Sequence, residues 1–194
     1  MKIQKVCIYC ASSRKADGVY FDAADRLGRI LAKNGITIVY GGGSVGSMGK
    51  VADAALSDGG KVIGIIPRFM QELEWDHKGL SELIIVNDLH ERKSQMIAGV
   101  DAVIALPGGS GTLEELLEAI TWKRLGLFVN PIIIVNVHGF FSPLIKQFDN
   151  IIKEKFMKGR HSAMWTVVDT PEDVLAAIKN APLWDAEARK FAAV

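Results

Sequence analysis

Cysteine and histidine are scarce in this chain of 194 residues, with two and four copies. That excludes much metal and redox chemistry. Cys7 and Cys10 form C-x-x-C, but both fall in the first apolar run, where strand positions three apart point to opposite faces. A redox pair would instead open a helix, where the thiolate is stabilised, so core packing is the expectation. His77, His90, His138 and His161 show no metal-ligand spacing, and neither a metal nor a cofactor is expected. Excess charge is missing as well. Lys plus Arg number 23 against 22 for Asp plus Glu, a net +1 without the basic surplus of a nucleic-acid or membrane-surface protein. No apolar run reaches the roughly 20 residues of a membrane span. The opening "MKIQKVCIYCASS" lacks the apolar block of a signal peptide, so a cytoplasmic protein is expected.

Hydrophobic residues make up 49% and charged residues 23%, which at this length suits a single domain over residues 1–194. Short β-branched runs at Lys5–Cys10, Ile36–Tyr40, Val62–Ile66, Leu83–Val86, Ala102–Leu106, Ile132–Val137 and Trp165–Val168 read as strands. They alternate with segments of helical period at Tyr20–Asn34, Met48–Asp58, Leu89–Gly99, Leu113–Leu125, Ser142–Phe156 and Pro171–Lys179. Leu113, Leu116, Leu117 and Ile120 stand at i, i+3, i+4 and i+7, a stripe expected to face the core. Strands that are apolar almost throughout, alternating with helices, imply an α/β fold. The expected form is a single-domain, doubly wound, Rossmann-like parallel sheet of about seven strands with helices on both faces. Such sheets bind ligands beyond the carboxyl ends of their strands, so function is expected in the strand-to-helix loops.

Two of those loops are rich in glycine. In "YGGGSVGSMGK", Gly41, Gly43 and Gly46 satisfy G-x-G-x-x-G, but the next strand ends "IGIIPRF" without the carboxylate that holds a nicotinamide dinucleotide's ribose. Gly49-Lys50 fails as a P-loop, because Ser44 stands at the first glycine and Val51 at the Mg²⁺-binding Ser/Thr. Gly42-x-Ser44-x-Gly46 matches a nucleophile elbow, with Asp149 and His161 in the chain order of an α/β-hydrolase, which keeps a serine esterase as one alternative. The other reading is a loop whose N–H groups, at Gly42 and Gly43 among others, attract an anion such as phosphate.

In "PGGSGTLEE", Gly108, Gly109 and Gly111 allow close ligand approach and positive φ. Thr112 and Glu115 have capping-box spacing, and Glu114 reads as a first-turn carboxylate favoured by the helix dipole. Both readings compete with a catalytic role. In "NDLHERKSQM", Asp88 and Glu91 can cap a helix, which puts Arg92 and Lys93 in its first turns. Cations are disfavoured there, and a bound phosphate gripped by the arginine would compensate.

Pro107-Gly108-Gly109-Ser110-Gly111-Thr112-Leu113-Glu114-Glu115 matches P-G-G-x-G-T-x-x-E throughout. With "ERK" and "YGGGSVGSMG", it makes the chain resemble the Lonely Guy (LOG) family from the first strand to about Phe156. One local difference is Leu89, where relatives often have methionine. The resemblance implies a cytokinin riboside 5′-monophosphate phosphoribohydrolase. Such an enzyme cleaves the N-glycosidic bond of a purine nucleoside 5′-monophosphate, cytokinin-type or AMP-like, to free base and ribose 5-phosphate without a cofactor. It implies Arg92 and Glu115 as the catalytic pair. Substrate contacts are implied at Glu74, Lys93, Gly108, Gly109, Ser110, Gly111, Thr112, Leu113, Glu114 and Thr121. A homodimer with active sites near the interface is implied too. An older family label, lysine decarboxylase, finds no pyridoxal phosphate signature here. A non-catalytic nucleotide-binding module using the same loops is the alternative.

Overall fold

The computed structural model describes residues 2–73 and 75–191 of the chain, and Glu74, one of the implied contacts, lies outside the described residues. The first strand, β1 (Lys5–Tyr9), shows why a sheet forms with two cores. Val6, Ile8 and the following Cys10 turn to one face, Cys7 and Tyr9 to the other, and all are buried. The two cysteines therefore pack on opposite sides of the sheet, as their spacing implies.

The elements follow in alternation: α1 (Gly18–Lys33), β2 (Thr37–Tyr40), α2 (Gly46–Ser57), β3 (Val62–Pro67), α3 (Arg68–Glu72), β4 (Glu82–Val86), α4 (Leu89–Ile97), β5 (Ala102–Ala105), α5 (Ser110–Arg124), β6 (Ile132–Val135), α6 (Ser142–Lys153), β7 (Thr166–Val168) and α7 (Val174–Asn180), with short 3-10 turns between some of them. All seven strands are parallel, in the order β4-β3-β2-β1-β5-β6-β7. Helices α1, α2 and α7 cover one face of the sheet, and α4, α5 and α6 cover the other. Helix α1 lies hard against α2. A Cβ on Gly28 would stand 2.4 Å from the Val51 carbonyl oxygen, so only a glycine lets the two backbones approach this closely. The short helix α3 was not expected from the sequence, since its five residues are too few to show a period. No described helix is long and apolar enough to cross a membrane.

Two helix starts matter for the site. Asp88 caps α4 by accepting from the His90 and Glu91 N–H groups, both at 2.8 Å, while Glu91 reaches back to the Asn87 N–H at 2.8 Å. Helix α5 begins differently: its cap is Gly109, with no side-chain bond to the first turn. The expected Thr112–Glu115 capping box therefore does not form, because the helix has already started two residues before Thr112. The apolar stripe also departs from expectation. Leu116 and Ile120 enter the core, but Leu117 is 43% exposed. The buried face of α5 contains Thr112, Glu115 and Lys123 beside its apolar residues. Counting apolar positions alone places that face wrongly.

The chain runs outward from β1 to β4 on one side, then returns to lay β5 against β1. This reversal leaves the β1 and β5 loops diverging, and a crevice opens beyond their carboxyl ends.

Candidate active site

A cleft of about 570 Å³ occupies that crevice. Its walls come from four strand-to-helix junctions: Ala11 to Arg14 after β1, Gly41 and Gly43 to Val45 after β2, the end of β3 with α3, and Gly109 to Thr112 after β5. Arg92 and Glu115 reach the cleft from α4 and α5.

Arg92 is pinned. Its Nε donates to the Ile65 carbonyl and its Nη2 to the Gly41 carbonyl, both at 3.0 Å, while Nη1 lies 3.4 Å from Glu115 Oε1. Both side chains are under 10% exposed. The guanidinium passes so close to β2 that a Cβ on Gly41 would stand 1.9 Å from Nη2. Glycine at 41 thus makes room for the arginine. Burial pushes the Glu115 carboxyl up to about 7, outweighing the nearby Arg92, which works to lower it, while Glu114 adds to the rise. A group poised near neutrality in a cleft suits proton transfer.

Lys93, next in sequence, turns the other way. Its ammonium is held by Glu114 and by Glu118, the latter at 3.2 Å. Burial works to lower the Lys93 pKa, but these two carboxylates prevail and raise it. The unfavourable position of both cations near the α4 N-terminus is thus compensated inside the protein: Lys93 by glutamates of α5, Arg92 by carbonyls and Glu115.

The glycines of the β5 loop divide by role. A Cβ on Gly108 would stand 2.1 Å from Thr112 Oγ1, so this glycine accommodates a buried neighbour. Gly109 and Gly111 meet nothing within 4 Å and line the cleft, so their missing side chains leave space for a ligand. None of the three uses the positive φ that glycine permits; that conformation occurs at Gly42 and Gly46 after β2. With no side chain capping α5, the first-turn N–H groups of Ser110, Gly111 and Thr112 remain available.

Of the sequence-derived residues, the structure brings together Gly43, Arg92, Gly109, Ser110, Gly111, Thr112 and Glu115 around the cleft. It does not bring Gly42, Gly108, Lys93, Leu113, Glu114 or Thr121 to its wall. Gly42 instead accepts a backbone bond from His77 at 2.9 Å, and Thr121, on the outer side of α5, donates to the Leu117 carbonyl at 2.8 Å. Sequence reasoning missed Ser12, Ser13 and Arg14 of the β1 loop and Met48, Met70 and Trp75, which line the remaining wall. The β1 loop could have been found from the switch-point rule alone, since the first strand of such a sheet flanks the crevice. The methionines and Trp75 carry no motif.

No esterase triad assembles. Ser44 Oγ donates weakly to the Trp75 carbonyl at 3.4 Å, Asp149 is exposed on α6, and His161 is buried elsewhere, its Nδ1 accepting from the Lys158 N–H. Nor does His77 replace it: its Nε2 pairs with Asp53 at 2.9 Å and its Nδ1 accepts from the Gly79 N–H.

A parallel sheet with a buried Arg–Glu pair beneath an uncapped helix start, in the switch-point crevice, defines a Rossmann-like protein built to receive an anionic ligand. The chain belongs to the LOG family, whose model carries the description possible lysine decarboxylase and matches residues 48–178. Cytokinin riboside 5′-monophosphate phosphoribohydrolase LOG3 of Arabidopsis thaliana is 44% identical over 156 residues, which are 80% of this chain and 73% of that relative. The X-ray structure of TM1055 superposes with a TM-score of 0.72 at 25% identity, covering 91% of this chain and 99% of its own. The molybdenum cofactor carrier protein of Chlamydomonas reinhardtii reaches a TM-score of 0.71 at 19% identity, over 92% and 98% of the two chains, a likeness of fold alone.

Proposed function

We propose that this protein is a cytoplasmic phosphoribohydrolase that cleaves the N-glycosidic bond of a purine nucleoside 5′-monophosphate, cytokinin-type or AMP-like. The observation that carries the proposal is the buried Glu115 beside Arg92 on the cleft wall. A carboxylate that is buried, paired with an arginine and open to a cleft is placed as acid–base groups are placed. Positive charge builds on the ribose as the base departs, and an ionised carboxylate stabilises it or takes a proton from the attacking water. The water oxygen bonds to the anomeric carbon, the carbon–nitrogen bond breaks, and the base leaves with the bonding pair and collects a proton. Arg92 holds Glu115 in place from below. The open N–H groups of α5, with Gly109 and Gly111, receive the phosphate.

Chromatographic detection of free base after incubation with AMP, an N6-prenylated AMP and adenosine tests this. The profile against pH carries a second signature. Because the Glu115 pKa is raised and the reaction needs the ionised form, kcat/KM rises with pH, with a midpoint near 7, and then levels. The substrate's own phosphate ionises at about 6, a unit lower. Binding of AMP without release of base would leave a sensing module in place of the enzyme.

The same reading includes a homodimer. Leu117 and Thr121 lie four residues apart on the outer side of α5, Leu125 follows at its C-cap, and Leu117, Leu125 and Leu127 are 43%, 41% and 72% exposed. A second copy would cover these leucines and place Thr121 at an interface. Light scattering is expected to give twice the 21.1 kDa of the chain; a stable monomer at micromolar concentration would end the claim.

A further inference from the structure

The cleft receives a phosphate that carries a charge of about −1.5 to −2 near neutrality, yet the cations singled out by the sequence are already engaged. Lys93 is held by Glu114 and Glu118. Arg92 spends donors on two carbonyls and leans on Glu115. One further cation lines the cleft, Arg14 in the β1 loop. It is exposed, and among the described residues no carboxylate or carbonyl holds it.

The loop that carries Arg14 is fixed against the start of α2. The Met48 N–H of α2 donates to the Ala11 carbonyl at 3.0 Å. Gly46, in the left-handed region at φ 65°, leaves so little room that a Cβ would stand 2.6 Å from the Ser13 carbonyl oxygen. Ser13 Oγ then accepts from the Lys15 N–H at 3.2 Å, turning the chain at Arg14. The backbone on either side of Arg14 is thus anchored, and its exposed side chain extends from that anchored loop.

We propose that Arg14 is the side chain that grips the 5′-phosphate, closing over it from the β1 loop while the α5 N–H groups hold it from the other side. This rests on the phosphoribohydrolase reading. A guanidinium presents two parallel N–H groups to two phosphate oxygens, which an ammonium cannot match. Arg14 therefore sets the preference for a nucleotide over the bare nucleoside, while Glu115 performs the chemistry.

Arg14→Ala lies on the surface and threatens no packing. It is expected to lower kcat/KM for AMP by about 10- to 100-fold, the range of a charge-assisted hydrogen bond, and to lower that for adenosine, which has no phosphate to hold, far less, so that the ratio of AMP to adenosine falls. Arg14→Lys recovers part of the loss. Lys15→Ala, which removes the same charge one residue away, leaves AMP hydrolysis unchanged. Calorimetric titration with AMP supplies an arm that needs no turnover. If AMP binds the wild type without base release and Arg14→Ala weakens that binding, the enzyme reading falls and the Arg14 assignment stands. If base is released but Arg14→Ala leaves the ratio of AMP to adenosine unchanged, or Lys15→Ala loses as much, the Arg14 assignment alone is overturned. If AMP does not bind the wild type, both fall.

Discussion

Glu115→Gln is expected to fold, to bind AMP, and to release base at least about 100-fold more slowly than the wild type, the lower end of what a positioned acid–base or electrostatic group supplies. Glutamine keeps the shape of the side chain and can still accept from Arg92, so packing on α5 survives. What disappears is the negative charge that the proposed mechanism sets beside the anomeric carbon. A thermal scan against pH separates this from damage to the fold. The folded-state pKa of Glu115 is raised from 4.5 to about 7, so the native wild type favours the protonated form and loses stability as pH climbs through that window. Glutamine does not titrate, and the variant should lack that component of the decline. Near wild-type turnover in the variant would reduce Glu115 to a packing residue and remove the catalytic assignment.

Gly111→Ala should have an effect of the opposite kind, a loss of activity without any loss of stability. A Cβ at Gly111 meets nothing within 4 Å, and the position lies in the first turn of α5. Alanine there is favoured over glycine by roughly 0.5–1 kcal/mol in a helix interior, so the melting temperature should hold or rise. The added methyl, however, occupies the space through which a phosphate reaches the first-turn N–H groups. AMP hydrolysis should fall by roughly ten-fold or more, the cost of losing one or two charge-assisted hydrogen bonds. Gly108→Ala supplies the contrast. Its methyl would run into Thr112 and should lower stability directly. Wild-type AMP hydrolysis by Gly111→Ala would mean that no ligand approaches α5 there.

These expectations depend on details that the sequence carried unevenly. The strand runs and their alternation with helices were legible because buried parallel strands are apolar on both faces, and β1 to β7 all lie where the β-branched runs suggest. The nine-residue motif after β5 was equally legible. The orientation of α5 was not, because Thr112, Glu115 and Lys123 are polar residues on a buried face, and an apolar count cannot detect a polar group that enters the core with a partner. Lys93 was misleading for the same reason: its partners Glu114 and Glu118 lie more than twenty residues along the chain, and a sequence does not show which carboxylates a fold will bring to a cation. Arg14 carries no motif and was passed over. The switch-point rule points to its loop, but not to this one side chain within it, and the strand order, which places β5 directly beside β1, makes that loop a wall of the cleft.

Arg92 joins the carbonyl end of β2, the carbonyl end of β3 and the carboxylate of α5 through one planar group. Removing it frees two carbonyls and leaves a buried acid without its counter-charge, so three chain segments lose their common fastening at once. Inactivity in an Arg92 variant is therefore ambiguous in a way that inactivity at Glu115 or Gly111 is not: it would report a slackened crevice as readily as an absent chemical group. At this position the enzyme's rigidity and its reactivity are one property, and a kinetic defect acquires chemical meaning only when the crystal structure of the variant shows Gly41, Ile65 and Glu115 unmoved.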